Sequence, residues 1–358
     1  MLMKPLNLII VYILTIINFI ILLLPFLSVL MVVIHFNRNL VMSKIAKFDF
    51  VLILNSLIFV VSFLMIFYLL LDFIFGFSVS SSLKNCKNYK KSKNYKFLDE
   101  IFCQVKQKFG RKDVKLYIKN SSEINAFAVG CMGKRVIVLT AGLINHALKN
   151  SKNKQEFLSM LLSIMGHEMS HLVNKDYLPA LLIIVNQKAT NLVSTILEIL
   201  IRWPLIILSF FRLRSRIIFE IILFIYRFVN QIVTFFNAKI IFNLYEFIRR
   251  FISRSIEYRC DFQSSQAFGG FNMAKALSLF GNNGYITLFS THPNTKWRIK
   301  KVEKVTSKDI VIKPLTSSSI SNYFALMILI IICASSAKVS NADIIIREFL
   351  ANHPNLFK

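Results

Sequence analysis

The chain has 358 residues, of which 55% are hydrophobic and 34 are Phe, and its formal net charge is +26. That length allows one or two domains, and the composition is too apolar for an ordinary soluble enzyme, so membrane spans are the natural reading. The charge is not read as a nucleic-acid footprint: no compact basic-aromatic motif goes with it, and basic residues crowd the cytoplasmic flanks of membrane helices.

Leu6 to Ile34 carries no charged residue and exceeds the roughly 20 residues that cross a hydrocarbon core. A signal peptide would need a shorter apolar region and a small-residue cleavage site, which is missing here. Phe50 to Val79 reads as a second span, with Asp72 its only charge. The hairpin between them, His35 to Asp49, holds Arg38, Lys44 and Lys47. Lys84, Lys87, Lys90, Lys91, Lys93 and Lys96 follow the second span in a Ser/Asn/Lys stretch read as a solvated linker. These lysines outnumber those of the hairpin, which predicts that this side, and the N-terminus with it, is cytoplasmic.

Residues 97–175 read as a water-facing unit. Leu98, Ile101, Phe102, Val105 and Phe109 recur at helical spacing, and Val114 to Lys119 alternates like a strand. Ala126–Val129 and Arg135–Thr140 flank a turn at Met132-Gly133-Lys134 and predict a β-hairpin. A helix over Gln155–Asn174 follows. Tyr177 to Ile201 is apolar but interrupted by Asn186, Gln187, Lys188, Asn191 and Glu198, and Ile217 to Phe236 contains Glu220 and Arg227. Charges inside a span are costly. Two tilted or protein-covered spans are expected here, with helices lying on the membrane surface as the alternative. Tyr323 to Ala334 is about 12 apolar residues, short for a span; it suits an interfacial helix, a tail anchor or a buried helix. The organisation expected is therefore two spans over 1–80, a first catalytic part over 81–176, two membrane helices over 177–240, a second catalytic part over 241–310, and a tail over 311–358.

The helix over 155–174 contains His167-Glu168-Met169-Ser170-His171. Positions i and i+4 share a helix face, so both imidazoles point the same way. Two such imidazoles can hold a zinc ion, with the intervening Glu168 as general base. Such a site needs one more protein ligand and an open position for water. The remaining His (His35, His146, His292, His353) are separately placed. Glu257 and Asp261 lie i, i+4 on a helical pattern, so one can ligate zinc while the other supports a ligand. The five Cys are scattered without a Cys-x-x-Cys pair, which argues against a disulfide framework and a cysteine metal site and fits a reducing compartment.

Four motifs in this order resemble the HtpX-type membrane metalloproteases, a family related to the CAAX prenyl proteases. They are Asn125-Ala126-Phe127-Ala128, His167-Glu168-x-x-His171, Glu257-Tyr-Arg-Cys-Asp261 and Thr291-His292-Pro293 with Arg298-Ile299. The resemblance runs from about residue 5 to 305. Cys260 stands where the family usually has Ala, and Asn294 where a second Pro is common. The resemblance implies an α+β, mostly helical, multi-pass membrane protein with a small zincin-like catalytic domain of zinc helices and a short β-sheet. It implies one Zn2+ per chain held by His167, His171 and Glu257, with Glu168 as catalytic base and Asp261 as supporting carboxylate. Asn125, Ala126, Phe127 and Ala128 would form a substrate-pairing edge strand, and His292 and Arg298 would stabilise the oxyanion or a substrate carboxylate. The implied activity is a gluzincin-type endopeptidase of the bacterial inner membrane, facing the cytoplasm and acting on misfolded membrane proteins. Its partners would be the lipid bilayer and protein or peptide substrates; the oligomeric state is not legible. A processing peptidase for lipidated or specific peptides, or a catalytically inactive scaffold, are the alternatives.

Overall fold

A computed structural model of the protein describes residues 13, 17, 50–91, 93–131, 133–210, 216–236, 239–240, 242–281, 293–341 and 344. Apart from Ile13 and Ile17, the first expected span, Leu6–Ile34, lies outside them, as does the hairpin His35–Asp49. The chain divides into two compact units. One contains Leu69–Leu181 and Phe247–Tyr323; the other contains the described parts of Leu6–Tyr68, Leu182–Glu246 and Phe324–Lys358.

The first unit is built on a four-stranded sheet. Helix α1 (Phe50–Phe75) ends in a left-handed Gly76, and α2 (Phe77–Ser82) follows. Asp72, the lone charge of the second expected span, is buried and accepts from the backbone and hydroxyl of Ser78 at 2.7 and 2.8 Å. The lysine-rich stretch, expected as a solvated linker, instead forms strand β1 (Cys86–Asn88) and two short 3-10 turns. The reason is Tyr89, whose ring is buried and whose hydroxyl donates to Asp99 at 2.6 Å. Helix α3 (Leu98–Lys108) presents Leu98, Ile101, Phe102 and Val105 to the core, as their spacing predicts.

Strands β2 (Val114–Lys119), β3 (Ala126–Gly130) and β4 (Arg135–Thr140) complete the sheet in the order β1-β2-β4-β3. The hairpin of β3 and β4 is antiparallel, pairing Ala126 with Leu139 and Gly130 with Arg135. Strand β4 then inserts beside β2 in parallel, Val114 against Arg135. That leaves β4 central, with Val136–Thr140 buried, and β3 at the sheet edge. Thr140 closes the hairpin and caps α4 (Ala141–Asn150): its hydroxyl accepts from the Leu143 N–H at 3.2 Å.

Helix α5 (Lys154–Val173) starts at Asn153, whose side chain accepts from the Glu156 N–H at 2.8 Å. Most of it is buried, with Leu161, Met165 and Met169 in one core with Leu116, Ile137 and Leu139 of the sheet. After α6 (Tyr177–Phe210) and α7 (Arg216–Phe236), the chain returns as α8 (Phe242–Phe268), α9 (Gly270–Ser278) and α10 (Thr295–Val302). A strap then runs over 308–315: the Ile312 N–H donates to the Lys108 carbonyl at 2.8 Å, and the Ile312 side chain enters the core.

Among the described residues two helices are long and apolar enough to cross a membrane, Asn55–Phe75 and Asn322–Val339. The second is longer than the apolar run read at Tyr323–Ala334. Helix α11 (Thr316–Val339) continues beyond the apolar run through Ser335, Ser336 and Ala337. Helices α6 and α7, expected as spans, are long helices that carry Lys188, Glu198 and Arg202, and Arg216, Glu220 and Arg227. On α7 the exposed apolar residues Ile221, Phe224, Phe228, Ile232 and Phe235 form one stripe.

Candidate metal centre

Helices α5 and α8 meet at Gly166, where α5 has no side chain. A Cβ on Gly166 would stand 2.7 Å from the Phe268 ring and 2.8 Å from the Ser264 hydroxyl, so only glycine permits this approach. The Ser264 hydroxyl donates to the Ser163 carbonyl at 2.6 Å and fixes the register of the two helices. Glu257, Asp261, Ser264 and Phe268 lie at i, i+4, i+7 and i+11, so one stripe of α8 faces the His pair.

The Nε2 atoms of His167 and His171 are 3.2 Å apart. Glu257 Oε2 stands 3.5 Å from the first, and its Oε1 3.6 Å from the second. Nitrogen and oxygen ligands about 2.0–2.2 Å from a tetrahedral zinc lie about 3.3–3.5 Å from one another. The three side chains therefore fit the edges of such a site, and their donor set is the two-His, one-Glu set of catalytic zinc.

A carboxylate stands behind each imidazole. His167 Nδ1 is 2.9 Å from Asp261 Oδ1, and Arg298 grips Asp261 with two bonds of 2.7 Å, Nε to Oδ2 and Nη2 to Oδ1. Arg298 Nη2 also lies 3.1 Å from Glu257 Oε2. His171 Nδ1 is 3.1 Å from Asp176 Oδ2, and the Asp176 carboxylate pairs with Arg259. Cys260 Sγ is 3.4 Å from the same His171 nitrogen.

Burial by itself lowers the pKa of each histidine, yet the polar neighbours outweigh it. Asp261 and Glu257 raise His167 to about 10. Cys260, Asp176 and Glu257 raise His171 well above its ordinary value. Burial pushes Asp261 up, and Arg298 with His167 more than reverses it, so its carboxyl lies below the usual range. The carboxylates of Glu257, Asp261 and Asp176 around the two imidazoles suit a bound cation.

Glu168 is buried on α5 and lies three residues before His171, on the flank of the same face. Asn125 precedes edge strand β3, and its carbonyl accepts from Thr140 N–H and hydroxyl at 3.1 and 2.8 Å. Arg298, expected to stabilise an oxyanion or a substrate carboxylate, has its guanidinium engaged with Asp261 and Glu257. His292 lies outside the described residues. Asp176 and Arg259 are absent from the sequence expectation. The available signal was weak: an Asp just past the helix that carries the His pair, and an Arg two residues after Glu257.

Comparison with known protein families matches residues 92–306 to the family described as "Peptidase family M48". The chain belongs to peptidase family M48. Members of that family are metallopeptidases, and in this M48 chain His167, His171 and Glu257 are grouped as a possible metal site. Protein or peptide substrates go with that family. A search among curated proteins finds no match. Among solved structures, the crystal structure of S. mikatae Ste24p is similar at 16% identity and a TM-score of 0.39. The match covers 73% of this M48 chain and 60% of Ste24p.

Proposed function

We propose that this M48 peptidase is a zinc-dependent, gluzincin-type endopeptidase of the membrane that cleaves misfolded membrane proteins at the cytoplasmic face. The observation that carries the reading is the triangle of His167 Nε2, His171 Nε2 and the Glu257 carboxylate, with Glu168 on the same helix as the His pair. Apolar helices Asn55–Phe75 and Asn322–Val339 support residence in a membrane, and the lysines at 84–96 support a cytoplasmic catalytic unit. The motif resemblance to the HtpX type adds a multi-pass chain of the bacterial inner membrane to this reading.

His167, His171 and Glu257 would hold the zinc. A zinc ion held there would supply acidification of a water and polarisation of the scissile carbonyl. Glu168 takes the proton from the attacking water and delivers it to the leaving amine, so its carboxylate is first base and then acid. Arg298 and Asp261 orient His167 and Glu257. Strand β3 supplies the substrate rail: its odd-numbered residues bond to β4, as Asn125 and Cys131 do, so Ala126 and Ala128 turn their N–H and C=O toward the open edge. An extended substrate can add there as a further strand, which binds a peptide without demanding one sequence.

The test is Glu168→Gln. The variant is expected to bind zinc like the unchanged chain and to lose about 10²–10⁴-fold in cleavage of casein or a model membrane protein. Cleavage at the unchanged rate would rule out Glu168 as the base.

A further inference from the structure

We infer that Asp176, backed by Arg259, is a positioning residue that sets His171 as a metal ligand; this rests on the zinc reading above. A neutral imidazole carries one N–H. With that proton on Nδ1, donated to a carboxylate, the lone pair of Nε2 is free for the metal and the ring is fixed in plane. Asp176 Oδ2 stands 3.1 Å from His171 Nδ1, while Nε2 faces His167 Nε2 at 3.2 Å and Glu257 at 3.6 Å. The carboxylate is thus on the correct nitrogen for this role. Cys260 Sγ approaches the same nitrogen at 3.4 Å, but a thiol is a weak acceptor and the carboxylate outcompetes it.

Asp176 is itself held at both ends. Its N–H donates to the His171 carbonyl at 3.0 Å, which ties it to the end of the helix that bears the ligand. Its carboxylate pairs with Arg259, two residues beyond Glu257 on α8. The ion pair therefore joins the helix carrying two ligands to the helix carrying the third. A second Asp–Arg pair stands beside His167: Asp261 of α8 lies 2.9 Å from His167 Nδ1 and is paired with Arg298 of α10.

The experiment compares the full-length chain with Asp176→Ala, Asp176→Asn and Arg259→Gln in detergent. Three quantities are read: zinc affinity by competition with a chelator, the visible absorption bands of the Co2+-loaded protein, and kcat and KM on casein. Asp176→Ala is expected to bind zinc about 10–100-fold more weakly, to shift the Co2+ bands, and to lower kcat with KM held. Asp176→Asn keeps the shape and one acceptor oxygen, so it recovers part of the affinity; it carries the test if the alanine variant does not fold. Arg259→Gln lowers affinity in the same direction. Zinc affinity within twofold of the unchanged chain and an unaltered Co2+ spectrum in the folded variants overturns the positioning role and leaves the zinc reading standing. An unchanged chain that binds no zinc overturns the zinc reading, and this role with it.

Discussion

Arg298 makes two bonds to Asp261 and a third contact to Glu257, and nearly all of that group is out of solvent. Removing one partner of a buried pair leaves the other charge uncompensated, at about 3–5 kcal/mol. Arg298→Ala is therefore expected to lower folding stability by about that amount, measured by denaturant unfolding of the metal-free protein; a loss below about 1 kcal/mol would mean that water replaces the guanidinium. His167 sets a second expectation. Its folded-state pKa, about 10, lies above its ordinary value of 6.5. A raised pKa contributes stability that is complete below the unfolded value and is lost as pH rises through the folded one. Chelator-treated protein should therefore melt at lower temperature as pH rises from 7 toward 10. Over the same window protons leave the ligand, so the gain in melting temperature on adding zinc should grow. A metal-free melting temperature that is flat or rising over that window contradicts this account.

At the scale of elements, the site depends on how closely α5 and α8 approach. Gly166 sits one residue before His167, and a methyl group there meets both Phe268 and Ser264. Gly166→Ala should cost about 1–3 kcal/mol through overpacking, and should weaken zinc binding because Glu257 moves away with α8. Calorimetry and chelator competition check the two parts; full zinc affinity in the variant would show that Phe268 yields instead of the helix. Edge strand β3 gives the element-level test of substrate binding. Ala128→Pro deletes a donor on the open edge while sparing the bonds to β4, and proline is tolerated on edge strands. The loss of one hydrogen bond, about 0.5–1.5 kcal/mol, predicts a KM about 2–10-fold higher on casein with the melting temperature retained. An unaltered KM would place the substrate elsewhere.

Across the whole molecule, the catalytic unit is assembled from two stretches of chain, Leu69–Leu181 and Phe247–Tyr323. The second reaches past residue 306, where the family match ends. The segment beyond it is bound to both metal-bearing helices. Asn174 accepts from the Leu315 N–H at 3.0 Å and, through its carbonyl, from Asn322 at 3.2 Å, while Gln263 donates to the Lys313 carbonyl at 3.3 Å. The sequence marked 311–358 as a tail outside the catalytic region, yet Ile312 is buried in its core. Ile312→Ala should cost about 2–5 kcal/mol, the range for a large-to-small change in a packed core. Urea unfolding gives the number, and a cost near zero would make the strap a loose appendage.

What the sequence determined by itself is what depends on near neighbours along the chain. The i, i+4 spacing of His167 and His171, the periodicity of α3, the hairpin of β3 and β4, and the apolar run at Asn55–Phe75 all follow from periods of two or 3.6 residues, which a sequence displays directly. The i, i+4 pair Glu257 and Asp261 was a candidate from spacing, but which of the two ligates came only through the resemblance, because 85 residues (172–256) separate Glu257 from His171. The parallel pairing of β4 with β2, the strand hidden in the lysine stretch, the burial of Ile312 and the joining of Asp176 to Arg259 were decided by tertiary structure alone. Each depends on two segments distant in sequence sharing a buried boundary, where an unpaired backbone group or charge is too costly to leave. No local pattern encodes which distant partner will satisfy it.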